Sequence, residues 1–490
     1  MSVLLGTNNN KIIFLKLIYF IRFGAFFKRF IQFINHMSKT IKLKKGFDIK
    51  LVGKAEKQLG DFKSAKTFAL KPTDFIGMQR PKVTVSEGDK VKVGTPILFD
   101  KAMEAVQYVA PVSGEIVEIK RGDRRKLLEI KILADAENSY ESFDKFSEDA
   151  LNSLSKEDAV AQMCKGGVWP QIIQRPFGIV ANPEDAPKAI FISAFDSHPL
   201  APDYGFLLEG EEKYFQAGLN ILSKLTSGKV HLNVDGNAQV SAIFANAKGV
   251  ELNKFSGPHP AGNVGVQIHH LNPINKGEVA WTVNPYGVVQ IGKLFLDGKY
   301  DASKKIAITG SEAKKAVYVK TAIGACVDTL VEGNTKQDNI RVVSGNVLTG
   351  ERINRDGYIG YYHHQITLLP EGDQYEFLGW MKPTASKLSY HRALGLLSFL
   401  NPKKEFVLDT NTNGEERAFV QTGVFEDVTP MDILPVYLLK AIMAEDFDEM
   451  EELGIYEIVE EDLALCEFVD VSKHPVQEIV RKGIDLIQYS

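Results

Sequence analysis

Between residues 81 and 132 apolar and polar positions alternate in short runs. Val83 and Val85 flank Thr84, Val91 and Val93 flank Lys92, and Val117 and Ile119 flank Glu118. Leu128, Ile130 and Ile132 alternate with Glu129 and Lys131. A period of two marks strands with one buried face. Glu87-Gly88-Asp89, Gly94-Thr95-Pro96, Pro111 to Gly114 and Gly122-Asp123 supply the turns. Six or so short strands in about 50 residues predict a small β-sandwich or barrel.

The pattern then changes three times. A polar stretch at 133–165 ends in a helix near Lys165 and reads as a boundary. Residues 150–256 read as an α/β, Rossmann-like domain. KAIFISAFD is a strand ending in polar residues, helix 209–226 follows with Phe215, Leu219, Leu222 and Leu225 on one face, and KVHLNVD and VELNKF are the next strands. That order predicts a parallel sheet. No G-x-G-x-x-G opens the helix, so a dinucleotide is not indicated. Residues 257–380 read as β-rich, from GPHPAGNVGVQIHH and GEVAWTVNPYGVVQIGKLF to RVVSGNVLTG. His269-His270 and His363-His364 would face opposite ways in strands. Residues 381–490 read as mainly helical. Thr429-Pro430 looks like an N-cap with proline at the first helical position, and Pro435 either kinks that helix or marks its true start.

Composition narrows the function classes. A chain of 490 residues should hold about three domains. With 44% hydrophobic and 24% charged residues it is an ordinary globular chain, and a net charge of −4 gives no reason to expect nucleic acid. Cys164, Cys326 and Cys466 form no C-x-x-C pair, which argues against zinc or a cysteine-ligated cluster. Their odd number and wide spacing suit a reducing compartment. Residues 1–36 stand apart, almost wholly Phe, Ile, Lys, Arg and Asn, with Lys16, Arg22, Lys28 and Arg29 interrupting the apolar run. Neither a membrane span, an amphipathic helix nor a cleaved signal fits, and Met37 is the expected start.

The EGD-x-V-x-x-G run and the AP-x-S-G turn resemble a barrel-sandwich hybrid, the fold of lipoyl and biotinyl carriers, expected over 37–135. Asp100-Lys101-Ala102 is similar to the turn whose lysine is lipoylated. Lys101, however, lies nine residues before Ala110. That longer arm predicts a solvated lysine on a strand end, off the tight hairpin tip.

From Met37 onward the chain resembles the A subunit of the sodium-translocating NADH:quinone oxidoreductase. The resemblance rests on KKGFDIKLVGKAE, KPTDFIGMQRPKVTVSEGDKV, APVSGEIVEIKRGDRRKL, GPHPAGNVGVQIHHLNPINKGEVAW and MDILPVYLLKAIMAEDFDEMEELGIYEIVEEDLALCEFV. It implies an α+β multidomain chain: sandwich module, α/β domain, a β-grasp soluble-ligand-binding module within 257–380, and a helical C-terminal region. It also implies a peripheral subunit on the cytoplasmic face of a bacterial inner membrane. Its partners would be the other subunits, B to F, and ubiquinone. NADH, flavins and iron–sulfur centres would act in or through those subunits, leaving this chain without a bound cofactor, metal or catalytic residue of its own.

Relatives in respiratory complex I hold FMN on a glycine-rich loop, where this chain has GGVWPQIIQRPFG. In that loop Trp169 and Phe177 offer flat surfaces and Arg175 a charged donor, the parts a quinone ring needs. Trp169 equally fits a core residue, and Arg175 a partner of a local carboxylate. The competing functional readings are a carrier acting through Lys101 and a flavin- or NADH-binding input subunit.

Overall fold

The computed structural model describes residues 39–374, 376–382, 384–391, 395–420 and 423–490, with Trp380 by its backbone alone. The expected non-native extension 1–36 lies outside them.

A seven-stranded sheet forms the centre. Its order is Thr40–Lys42, Glu251–Ser256, Lys229–Asp235, Ala189–Ser193, Ala280–Val283, Ile172–Arg175, Ile179–Val180. The first five run parallel, and the last two form an antiparallel hairpin on the edge. Alternation along Ala189–Ser193 divides its faces. Ile190 and Ile192 join the main core, while Ala189 and Phe191 pack beneath Ile268 and Ile274. Helices Glu212–Leu225 and Pro285–Asp297 cover the first face. They approach so closely that a Cβ on Gly218 would stand 2.0 Å from the Val288 carbonyl oxygen, and one on Gly292 would stand 1.9 Å from that of Tyr214. Only glycine permits that crossing.

Two smaller β units flank this domain. The sandwich packs strands Thr67–Leu70, Leu127–Ala134, Gly114–Arg121 and Lys90–Val91 over Pro81–Val83, Pro96–Asp100 and Met103–Val109. Val93, Ile97, Val106, Ile116, Ile130 and Ile132 are sealed between the sheets. The β-grasp sheet pairs Ser303–Thr309 and Gln365–Pro370 in parallel at its centre, with Val317–Ala322 and Ile340–Ser344 antiparallel outside them. At the C-terminus, helices Pro435–Ala444, Glu460–Val469 and Val476–Tyr489 share a separate core of Leu438, Leu439, Ile442, Leu463, Val480 and Ile484.

Several expectations need correction. The strands at 40–42 and 56–59 fall inside the range assigned to the sandwich, yet they pair with the α/β and β-grasp sheets respectively. The α/β domain continues past 256. GNVGVQIHH folds as helix Val264–Leu271, and the run from Gly277 holds one strand followed by helix Pro285–Asp297. Asn284 caps that helix through a 2.7 Å bond from the Gly287 N–H, with Pro285 at its first position. The Asn-Pro pair is a helix start signal, and in the sequence the apolar alternation before it masks it. His269 and His270 therefore sit on a helix, where they bond to Glu457 and the Pro430 carbonyl. Pro435, and not Pro430, opens the next helix.

Candidate functional site

Chain order gives the sheet a reversal. Strands Ala189–Ser193, Lys229–Asp235 and Glu251–Ser256 run outward to one side, and Ala280–Val283 returns to the other side of the first. Ligands of open α/β sheets bind in the crevice beyond the carboxyl ends of the strands at such a reversal. A cleft of about 630 Å³ lies there. Ser193, Phe195, Asp196 and His198 follow the first strand into its wall, and Val283 and Asn284 close the second. Asn263 and Val264 contribute from the start of helix Val264–Leu271, and Glu460, Glu461 and Arg481 from the C-terminal helices.

Of the three ring-binding candidates, the structure brings only Arg175 to the cleft. Trp169 is fully buried. Its indole N–H donates to the Ala181 carbonyl at 2.7 Å and its ring meets Trp281 edge-on at 5.5 Å, so it has no face to offer a ligand. Phe177 packs with the C-terminal core, 6.4 Å from the Tyr456 ring. The glycines between Lys165 and Trp169 serve packing. A Cβ on Gly167, whose φ is +73°, would stand 2.3 Å from Val109, and one on Gly166 would stand 2.6 Å from Leu294. The Gly166 and Val168 N–H groups bond to Gln162 and Met163. This loop does not fit a flavin phosphate.

Arg175 ends the antiparallel strand and is 4% exposed. It donates to Asp462 at 2.9 Å and to Glu461. Burial pulls its pKa down, and the two carboxylates override that and raise it. Burial raises the Glu461 pKa against the pull of Arg175. Beside them His198 Nδ1 bonds to Asp196 Oδ1 at 2.6 Å, and its ring stands 4.5 Å from that of His259. Burial lowers the His198 pKa, but Asp196, with Glu461 and Asp462 behind it, prevails and holds it above the usual range. The Asp196 carboxyl is held low by His198 despite burial. Burial and the neighbouring His198 push His259 well below its ordinary value.

Four buried polar atoms on residues lining this cleft find no hydrogen-bond partner among the described residues: Gln171 Oε1, Arg175 Nε, His198 Nε2 and Asn263 Oδ1. Unsatisfied buried groups cost about 1–3 kcal/mol each and call for an explanation. A ligand carrying both acceptor and hydroxyl functions would satisfy them. Flat apolar surface stands nearby in Tyr204, Tyr362, Phe195 and Ile173. Ser197 bonds to His259 at 3.0 Å, but the carboxylate in this group pairs with His198, so no serine nucleophile is assembled. No group of His, Cys, Asp and Glu able to hold a metal ion occurs among the described residues. Sequence reasoning missed Asp196, His198, Asn263 and Glu461. The available signal was the polar end of KAIFISAFD, since the carboxyl end of a first parallel strand is where such sites form.

Three family models match the chain. Residues 41–135 match the NqrA N-terminal barrel-sandwich hybrid domain, 154–300 the NqrA second alpha/beta domain, and 305–355 the NQRA C-terminal domain. The second ends at residue 300, where the sheet and its covering helices end. The chain is 37% identical over 452 residues to the A subunit of the Na(+)-translocating NADH-quinone reductase of Alcanivorax borkumensis, covering 91% of this chain and 99% of that one. The same subunit of Vibrio parahaemolyticus is 37% identical over 449 residues, with 91% and 99% covered. That of Rhodopirellula baltica is 35% identical over 450 residues, with 91% and 98% covered. A solved NAD+-reducing NiFe hydrogenase aligns at a TM-score of 0.33 and 12% identity over 46% of this chain and 47% of that one, too distant to inform function.

Proposed function

The chain belongs to the NqrA family, the A subunits of the Na+-translocating NADH-quinone reductase, and from that premise we propose that its cleft at the strand reversal holds the quinone ring. The carrying observation is the set of unpartnered buried groups, Gln171 Oε1, Arg175 Nε, His198 Nε2 and Asn263 Oδ1, on residues lining a cleft with aromatic walls. A quinone needs donors at its carbonyl oxygens and a flat apolar slot for its ring. Arg175 and His198 supply N–H donors, and Asn263 Oδ1 can accept the hydroxyl that reduction creates.

In this reading the chain works peripherally on the cytoplasmic face of the membrane, with the other subunits, B to F, as partners and ubiquinone as substrate. No helix among the described residues is long and apolar enough to cross a membrane. NADH, flavins and iron–sulfur centres act through the other subunits. Packing of the 166–169 loop supports this assignment over a flavin-binding input role, because its glycines face side chains.

Photo-crosslinking of the assembled complex with an azido-quinone, followed by peptide mapping, tests the proposal. Label is expected in peptides carrying 193–204, 262–264 and 459–462. Ile173→Trp, which fills the cleft, should raise the apparent KM for quinone at least about tenfold while sparing NADH oxidation by an artificial acceptor. Label confined to other surfaces, with unchanged kinetics in Ile173→Trp, would overturn it.

A further inference from the structure

We infer that His198, held by Asp196, is the proton donor to the quinone oxygen during reduction. This rests on the cleft being the quinone site.

The geometry has the parts of an acid–base pair. The 2.6 Å bond from Nδ1 to Asp196 fixes the ring and leaves Nε2 as the free nitrogen. The His198 side chain is 9% exposed and lines the cleft, and its Nε2 is buried without a partner among the described residues. In this reading a ligand oxygen is the partner that completes it. Groups facing His198 come from three elements. Asp196 lies on its own segment, His259 on the 257–262 loop, and Glu461 and Asp462 on helix Glu460–Val469, where Arg175 neutralises part of their charge. Of these, the carboxylates favour the imidazolium and outweigh the burial that opposes it. The balance keeps His198 protonated further up the pH scale than a free histidine at about 6.5. His259, pushed the other way, stays neutral beside it.

Two electrons reach the quinone from NADH through the complex. An O–H bond forms at one quinone oxygen as the Nε2–H bond breaks, leaving neutral imidazole, which Asp196 keeps oriented through Nδ1–H. Water at the open mouth of the cleft supplies the second proton and recharges His198.

The test uses the intact complex carrying His198→Gln and, separately, Asp196→Asn. Glutamine keeps an N–H donor for binding and cannot transfer a proton. His198→Gln should lower kcat for quinone about 100-fold, change KM less than about threefold, and leave NADH oxidation by an artificial acceptor and azido-quinone labelling of the cleft intact. In the parent complex quinone reduction should fall as pH rises through the His198 pKa. In Asp196→Asn that fall should begin at lower pH, because the group that raises the pKa is gone. A raised KM with unchanged kcat and pH profile would overturn proton donation while keeping the cleft as the site. Labelling that maps outside the cleft in the parent complex would overturn the site itself, and the inference with it.

Discussion

The cleft at Arg175 and the hairpin at Lys101 both stand where a related fold does its chemistry, and they differ in how their polar groups are occupied. Lys101 does sit on a tight two-residue turn, with Asp100 paired to Met103 across it, contrary to the expectation drawn from the longer arm. The extra residues lengthen strand Met103–Val109 and leave the tip unchanged. Around that tip the hydrogen-bonding groups are matched. Asp100 accepts from the Gln79, Arg80 and Ala102 N–H groups at 3.0, 3.3 and 3.0 Å, and the Lys101 N–H donates to Arg80. The turn is stapled to segment 79–80 and does not stand clear of its module. In the cleft, by contrast, four groups on the lining residues lack partners among the described residues. A fold's outline persists when its function has gone, whereas an unsatisfied buried group is costly and calls for an explanation, which in the cleft the proposed ligand supplies.

The strongest way to break this comparison is Arg175→Ala. If the cleft is held open by charges matched across two domains, removing the guanidinium leaves Asp462 and Glu461 facing each other without a counter-ion. A loss of about 3–5 kcal/mol is expected, read as a lowered urea midpoint of the purified chain. The double variant Arg175→Met with Asp462→Leu should recover part of it. A change below about 1 kcal/mol in Arg175→Ala would mean that solvent screens these charges, and the cleft would then be an ordinary surface groove.

Arg175 also shows how much is legible in the sequence. The GGVWPQIIQRPFG loop stands out there, and Arg175 lines the cleft, but its carboxylate partners Asp462 and Glu461 lie 287 and 286 residues away and not locally. Trp169, a candidate on the same grounds, is core, because a flat side chain looks alike in sequence whether its face meets a ligand or Trp281. The sandwich is legible because its period of two is local. Asp196, His198, Asn263 and Glu461 come from segments up to 265 residues apart, as the numbering of Asp196 and Glu461 shows. Only the strand order brings them together. The domain edge at 256 fails for a related reason: an apolar run alone does not separate a buried helix from a buried strand.

A smaller effect sharpens the boundary between cleft and packing. Gly167→Ala puts a methyl group against Val109 at a backbone conformation that disfavours it. It should destabilise the chain by about 1–3 kcal/mol and leave the apparent KM for quinone unchanged. If KM rises while stability holds, the 166–169 loop touches the ligand, and the glycines belong with Arg175 after all.

The smallest effect is expected at the hairpin. Lys101 is exposed, and its ammonium takes part in no ion pair among the described residues. The turn is held by main-chain groups and by the Asp100 carboxylate, none of which Lys101→Ala removes. The variant should unfold within about 0.5 kcal/mol of the parent, and quinone reduction by the assembled complex should be unaltered. Asp100→Ala should cost more, because it leaves the Gln79, Arg80 and Ala102 N–H groups without their acceptor. Intact mass of the chain purified from its own complex decides the remaining alternative. A mass equal to that of the unmodified polypeptide means that the turn keeps only a carrier's outline. A lipoyl-sized increment on Lys101, lost together with activity in Lys101→Ala, would place a second working site on the molecule and reverse the contrast between hairpin and cleft.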